Sequence, residues 1–85
     1  MTVEPSKHLE VVYFAALREQ RGLDEESVDT TASTVAQLYG QLKHEHEFSF
    51  ELQELRVAVN DVLTDFEAAL SDRDRITFLP PIAGG

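Results

Sequence analysis

The chemistry this sequence can offer is concentrated in the run Leu79-Pro80-Pro81-Ile82-Ala83-Gly84-Gly85. A strand-like stretch, Arg75-Ile76-Thr77-Phe78-Leu79, meets two prolines and then two glycines bearing a terminal carboxylate. Proline has no N–H to donate to a sheet ladder and holds φ near the polyproline value, so a sheet entering this stretch must end there. Pro80 and Pro81 therefore read as a stiff stem. Gly84 and Gly85 have no Cβ and almost no steric profile. Extended, the segment from Pro80 to Gly85 reaches roughly 20 Å. Such a tail is shaped to place a carboxylate in a narrow slot on another protein. The plainer alternative is a frayed end, as most chain ends are. An engineered scar also leaves such glycines, but would not normally sit directly behind a strand and a double proline.

The remaining polar residues give little competing chemistry. The chain has no cysteine, so it has no disulfide framework, thiolate metal site or cysteine nucleophile. If the protein handles activated sulfur, the handle must be its own carboxyl end. His44 and His46 stand two apart on an expected helix end, about 200° around the axis, and cannot easily chelate one metal. No metal site is expected. Lys43 and His44 read as solvated charge compatible with the helix dipole, Arg18 and Glu19 as a solvated helix face, and Asp72 and Asp74 as turn residues. Sixteen acidic side chains against seven basic ones give a net charge of −9. Phosphate backbones repel such a surface, and no basic stripe with interleaved aromatics is present, so nucleic-acid binding is not expected. The acidity favours an electropositive partner, although charge also keeps a small domain soluble. Neither a transmembrane run nor a signal peptide is seen, and a cytoplasmic protein is the expectation.

Eighty-five residues make one domain, able to bury about 60–65% of the unfolded chain's surface and leaving little for a deep catalytic cleft. Leu9, Val11 and Tyr13 alternate with Glu10, Val12 and Phe14 in a first strand. Ala15 to Arg21 reads as a short helix closed by Gly22. Glu26 to Thr30 is a weaker, acidic segment that can pair with the first strand as a hairpin. Thr34 opens the main helix with a capping signal to Gln37, and Val35, Leu38, Tyr39 and Leu42 form its apolar stripe. Gly40 lies off that stripe at a cost of about 1 kcal/mol relative to alanine. Leu55, Val57 and Val59 predict a third strand that Asn60-Asp61 turns into Val62-Leu63. After a second turn at Ser71-Asp72-Arg73-Asp74, Ile76 and Phe78 complete the last strand. This order predicts an α+β ubiquitin-like β-grasp, a mixed sheet of four to five strands with one main helix packed on one face. Residues 1–8 are expected to be a flexible extension, 9–79 the domain and 80–85 the projecting tail.

One helix covers one face of a sheet. If Val11, Tyr13, Val57, Val59, Ile76 and Phe78 face it, then Val12, Phe14, Leu63 and Leu79 point the other way, in or near solvent. An apolar cluster beside a projecting tail suggests an interface. The competing arrangement folds the loop Glu47–Glu54, with Phe48, Phe50 and Leu52, over that face.

Three blocks carry a specific resemblance. Val11-Val12-Tyr13-Phe14-Ala15-Ala16-Leu17-Arg18-Glu19 resembles the opening of the small subunit of molybdopterin synthase. Val57-Ala58-Val59-Asn60 is similar to that family's strand and turn, and Thr77 to Gly85 is similar to its proline-proline-to-diglycine end. The blocks span Leu9 to Gly85 in order. Arg73, where related domains often carry glycine, departs from the pattern.

The resemblance implies a sulfur carrier. In that family a ubiquitin-activator-like adenylyltransferase uses ATP to adenylate the terminal carboxylate, which becomes a thiocarboxylate. The tail then enters the large subunit, and its sulfur goes to precursor Z to build the molybdopterin dithiolene. Two large and two small subunits form a heterotetramer, and the small subunit is not an enzyme on its own. Carried over by position, Gly85 supplies the reacting carbon and Gly84 the slim approach. Phe14, Leu63, Leu79, Pro80, Pro81, Ile82 and Ala83 fall at the partner interface. No bound cofactor is implied. Related β-grasp carriers serve thiamin or tRNA thiolation, usually without the Phe-x-Pro-Pro stem. Ubiquitin-like modifiers joined to lysines are a further class, and a pure interaction module is the plainest alternative.

Overall fold

A computed structural model of the chain describes residues 6–81. In chain order its elements are β1 (Lys7–Tyr13), α1 (Ala15–Arg21), β2 (Glu25–Thr30), α2 (Val35–His46), β3 (Arg56–Val59), β4 (Val62–Thr64) and β5 (Arg75–Leu79), with a single 3-10 turn, Leu52–Glu54, before β3. The five strands form one sheet in the order β2-β1-β5-β3-β4. β1 and β5 run parallel at its centre, while β1–β2, β3–β5 and β3–β4 are antiparallel. The parallel pair joins the first and last strands, with α2 carried across one face between them. This is the ubiquitin-like β-grasp the pattern predicted. The first strand starts earlier than expected: Lys7 and His8, read above as part of the extension, pair with Thr30 and Asp29. Polar, solvent-edge residues hid a ladder that the hydrophobic alternation does not mark.

Local chemistry accounts for the element ends. Gly22 takes φ 81° and returns its N–H to the Arg18 carbonyl, a left-handed stop that glycine makes without a Cβ clash. The Thr34 hydroxyl accepts from the Gln37 N–H at 3.2 Å, while Gln37 Oε1 accepts from the Ser33 N–H at 2.7 Å. The capping box is therefore displaced by one residue on its return side. At the other end of α2, Lys43 is not free charge: its ammonium donates to the Phe48 carbonyl at 2.8 Å. Asn60 and Asp61 both adopt positive φ, 52° and 70°, the signature of a two-residue turn whose twist matches the strands it joins.

The core lies between the sheet and α2. Val11, Ile76, Phe78 and Val57 from three adjacent strands meet Val35, Leu38 and Tyr39 of the helix, all essentially inaccessible to solvent. Val59 is partly buried against the same cluster. Phe48 is buried too, with its ring centroid 5.6 Å from Tyr13 and 6.1 Å from Tyr39. The loop Glu47–Glu54 thus packs on the helix side of the sheet. Phe50 and Leu52 follow Phe48 onto that cluster, so this loop leaves the opposite face uncovered. Tyr39 donates its hydroxyl to the Phe50 carbonyl at 2.9 Å, and burial pushes its pKa up to about 12.

Candidate functional site

Strand pleating sends alternate residues to the face away from α2. Register aligns four of them in one row across the sheet, Leu63 opposite Ala58, Ala58 opposite Thr77, and Thr77 opposite Val12. Together with Phe14, Leu79, Asp61 and Arg75 they line an open groove of about 380 Å³. Small side chains make the floor and larger ones the walls. Phe14 and Leu63 are 46% and 60% exposed, as expected for the uncovered face. Val12 departs from expectation, being 7% exposed. Its side chain sits low between the bulkier walls, and an Arg75–Glu25 contact at 3.8 Å passes beside it.

Each wall is positioned by a neighbouring element. Phe14 is the last residue before α1, and its carbonyl accepts from the Leu17 N–H at 3.1 Å. Ala15 takes φ 49°, bending the chain off β1 and leaving Phe14 at the groove rim. α1 is in turn tied to the sheet by a charged cluster. Arg21 donates to both oxygens of Glu26, from Nε at 2.9 Å and Nη2 at 2.8 Å, and the Tyr13 hydroxyl donates to Glu26 at 2.7 Å. His46 Nε2 lies 3.9 Å from the same carboxylate. The hydrogen-bonded Arg21 guanidinium holds the Glu26 carboxyl below its ordinary pKa against the opposing effect of burial. Burial, reinforced by the bond to Glu26, raises Tyr13.

Leu63 is presented by the Asn60-Asp61 turn. Leu79 ends β5 opposite Arg56, and Pro80 and Pro81 follow it out of the sheet. The far end of the same face is polar. His8 places Nδ1 2.9 Å from Asp29 and Nε2 3.4 Å from Glu10, and the bond to Asp29 raises its pKa. Asp72 accepts from the His8 N–H at 2.7 Å, and Asp74 accepts from Asn60 and from the Ser71 N–H. Both aspartates serve the turn. Among the described residues, no three His, Cys, Asp or Glu side chains converge as a metal site, and no helix is long and apolar enough to cross a membrane.

The structure thus brings Phe14, Leu63 and Leu79 to one groove, with Pro80 and Pro81 leading away from it. Ile82, Ala83, Gly84 and Gly85 lie outside the described residues. Sequence reasoning did not assign Ala58, Asp61, Arg75 and Thr77 to the site. The signal was present for two of them: Ala58 and Thr77 alternate with the large core residues Val57, Val59, Ile76 and Phe78. A small residue alternating with large core residues at these two central positions leaves a depression on the open face.

The ThiS family profile matches residues 11–85. The molybdopterin synthase sulfur carrier subunit of Haemophilus influenzae is 34% identical over 80 residues, covering 91% of this chain and 99% of the relative. The protein of the same name from Escherichia coli K12 is 32% identical over the same length, with the same coverage. Among solved structures, the complex of subunits 1 and 2 of molybdopterin-converting factor from Helicobacter pylori 26695 contains a chain 29% identical to this one. That likeness covers 92% of this chain and 99% of that chain, with a TM-score of 0.62.

Proposed function

This chain belongs to the ThiS family, and on that footing we propose that it is the sulfur-carrier subunit of a molybdopterin synthase. The observation that carries the reading is the groove whose wall residue Leu79 leads directly into the proline stem. A partner seated on that groove has the departing tail within reach. Full-length similarity to two proteins named as sulfur carrier subunits selects the cargo.

The chemistry follows from the terminal group. A carboxylate is a poor electrophile because its leaving group would be oxide. Adenylation of Gly85 by an ATP-using, ubiquitin-activator-like adenylyltransferase replaces that leaving group with AMP and releases pyrophosphate. A sulfur nucleophile can then attack the carbonyl carbon and expel AMP, leaving a thiocarboxylate. Side chains on Gly84 or Gly85 would crowd the nucleotide phosphates during this step. The thiocarboxylate is itself a nucleophile toward precursor Z, so no residue of this chain is needed to activate it. Catalytic groups reside on the large subunit and on the activating enzyme, and the working assembly is a cytoplasmic heterotetramer of two large and two small subunits. Phe14, Leu63, Leu79, Pro80 and Pro81, continued by Ile82 and Ala83, make the partner contact.

Deleting Gly85, or Gly85→Ala, is expected to abolish sulfur transfer while melting temperature and circular dichroism stay unchanged. Mass spectrometry of the wild type after incubation with ATP, activating enzyme and sulfur donor should show one sulfur-for-oxygen exchange at the C-terminus. Normal turnover by either variant would refute the carrier role. Isopeptide-linked adducts in lysates without that exchange would point instead to a protein modifier.

A further inference from the structure

Two strands bound the sheet, and their edges differ in kind. β2 carries Glu25, Glu26 and Asp29 along its length, the sort of charge that keeps a foreign strand from pairing. β4 is Val62-Leu63-Thr64, without a charge or a proline. Val62 and Leu63 are 66% and 60% exposed. An apolar edge left bare in a small domain is a template for another strand.

The ladder shows which groups that edge offers. The Asn60 N–H donates to the Arg75 carbonyl at 2.8 Å. Antiparallel alternation then turns the backbone groups of Ala58 toward β5 and those of Val57 and Val59 toward β4. Val59 with Val62, and Val57 with Thr64, are the hydrogen-bonded pairs of the hairpin. Leu63, opposite Ala58, directs its N–H and C=O outward, away from the sheet. Its side chain also divides two depressions. One is the groove already described; the other, about 300 Å³, is lined by Leu55, Arg56, Leu63, Thr64, Asp65 and Phe66.

Position relative to the tail identifies the occupant. Thr64 lies level with Val57 and Phe78, so β4 ends on the side of the sheet where β5 gives way to Pro80. Two strand spacings, roughly 10 Å, separate them. A protein that closes around the tail can reach this edge. β2 lies equally far on the other side of β5, but its acidic residues disfavour pairing there. Asp61 and Asp65 flank β4 in sequence and favour basic residues at the two ends of whatever pairs with it.

We propose that the subunit receiving the tail adds an extended segment to β4, pairing its backbone with the N–H and C=O of Leu63. Its apolar side chains fill the depressions on either side of Leu63, and lysine or arginine at its ends faces Asp61 and Asp65. The proposal rests on the carrier reading and gives it a second anchor, so the tail is held by a partner already locked in register to the sheet.

The test compares Leu63→Pro with Leu63→Val, two side chains of similar size, in binding to the recombinant large subunit of molybdopterin synthase from the same source. Proline removes the outward N–H but no bond to β3, so both variants should fold, as checked by thermal melting. Leu63→Pro is expected to bind about 10-fold more weakly than Leu63→Val, the loss of one interfacial hydrogen bond. In the wild-type complex the Leu63 amide should exchange with solvent at least about 10-fold more slowly than in the free chain. Equal binding by the two variants, or an unprotected Leu63 amide in a complex that transfers sulfur, overturns the strand pairing and leaves the carrier reading standing. Failure of the wild type to bind the large subunit overturns both. A concentration-dependent dimer of the chain alone, with Leu63 protected in it, assigns the edge to a second copy and overturns the proposal.

Discussion

The two faces of the sheet are made from alternate residues of the same strands, yet they are built for different ends. On the covered face Val11, Val57, Ile76 and Phe78 lie wholly out of solvent beneath α2. On the open face their neighbours in sequence, Val12, Ala58 and Thr77, are small or β-branched and floor a groove between Phe14, Leu63 and Leu79. A shift of one residue along a strand therefore separates a position that holds the fold from one left open on the groove face. If the proposed partner contact lies on the open face, stability and recognition are alterable independently, as a carrier gripped without being deformed requires.

The largest expected effect tests that separation from the covered side. Phe78→Ala should destabilise the domain by about 4 kcal/mol, the lost transfer energy of the ring plus the cavity left under Tyr39, whose ring centroid is 5.3 Å away. That is a large share of the stability of a domain this size, and urea titration should show it as a much lower midpoint. From the open side, Phe14→Ala should change folding stability by no more than about 0.5 kcal/mol, as exposed positions do. Binding to the large subunit should weaken about 30-fold, the loss expected of an aromatic anchor worth about 2 kcal/mol. Were Phe14→Ala to lower the urea midpoint as much as Phe78→Ala, the division of labour between the faces would be wrong.

A smaller effect concerns the cluster that ties α1, and with it Phe14, to the sheet. Glu26 has its folded pKa depressed by Arg21, so its contribution is present above its unfolded pKa of about 4.3 and is lost as pH falls through the folded value. Glu26→Gln keeps the shape and removes the charge. At pH 6 the variant should be less stable than the wild type by about 1–2 kcal/mol, the worth of hydrogen bonds to a charged group. Below about pH 4 the difference should shrink toward zero as the wild-type carboxyl is neutralised. Urea unfolding of both proteins across that range measures it.

How much of this was written in the sequence depends on whether the determinant was local. The helix limits at Gly22 and Thr34, the apolar stripe of α2 and the Asn60-Asp61 turn follow from residue type at fixed spacing, and the structure places them as read. The uncovered face was one of two arrangements that period-two alternation and a single covering helix allow. The structure decides between them by packing Phe48, Phe50 and Leu52 on the helix side. What escaped depends on register between distant segments. Glu26 meets Arg21 and Tyr13 only because β2 folds back on β1 with Val11 opposite Glu26. Lys7 and His8 extend β1 because Thr30 and Asp29 are there to pair with them. Lys43 finds the Phe48 carbonyl because Glu47 turns the chain at φ 55°, a conformation that glutamate does not announce. Asp61 and Arg75 belong to the groove through pairing that no single strand displays.

The smallest effects come from two positions where the residue and the backbone disagree in opposite senses, both away from the groove. Gly40 is exposed within α2, and a Cβ built there meets nothing within 4 Å. Gly40→Ala should gain up to about 1 kcal/mol, because alanine loses less backbone freedom on entering a helix. Arg73 is the converse case, held at φ 73° in a turn where its N–H donates to the His8 carbonyl at 2.7 Å. Glycine at that position relieves the left-handed strain, worth about 1 kcal/mol, against the extra freedom it gives the unfolded chain. Arg73→Gly should therefore gain less than Gly40→Ala. The two lie on different elements with no contact between them, so the double variant should melt higher by close to the sum. Affinity for the large subunit should stay at the wild-type value, because neither residue lines the groove or β4. A double variant that folds more stably yet binds more weakly would place part of the interface on the helix side or at the polar end, and would break the assignment of recognition to the open face alone.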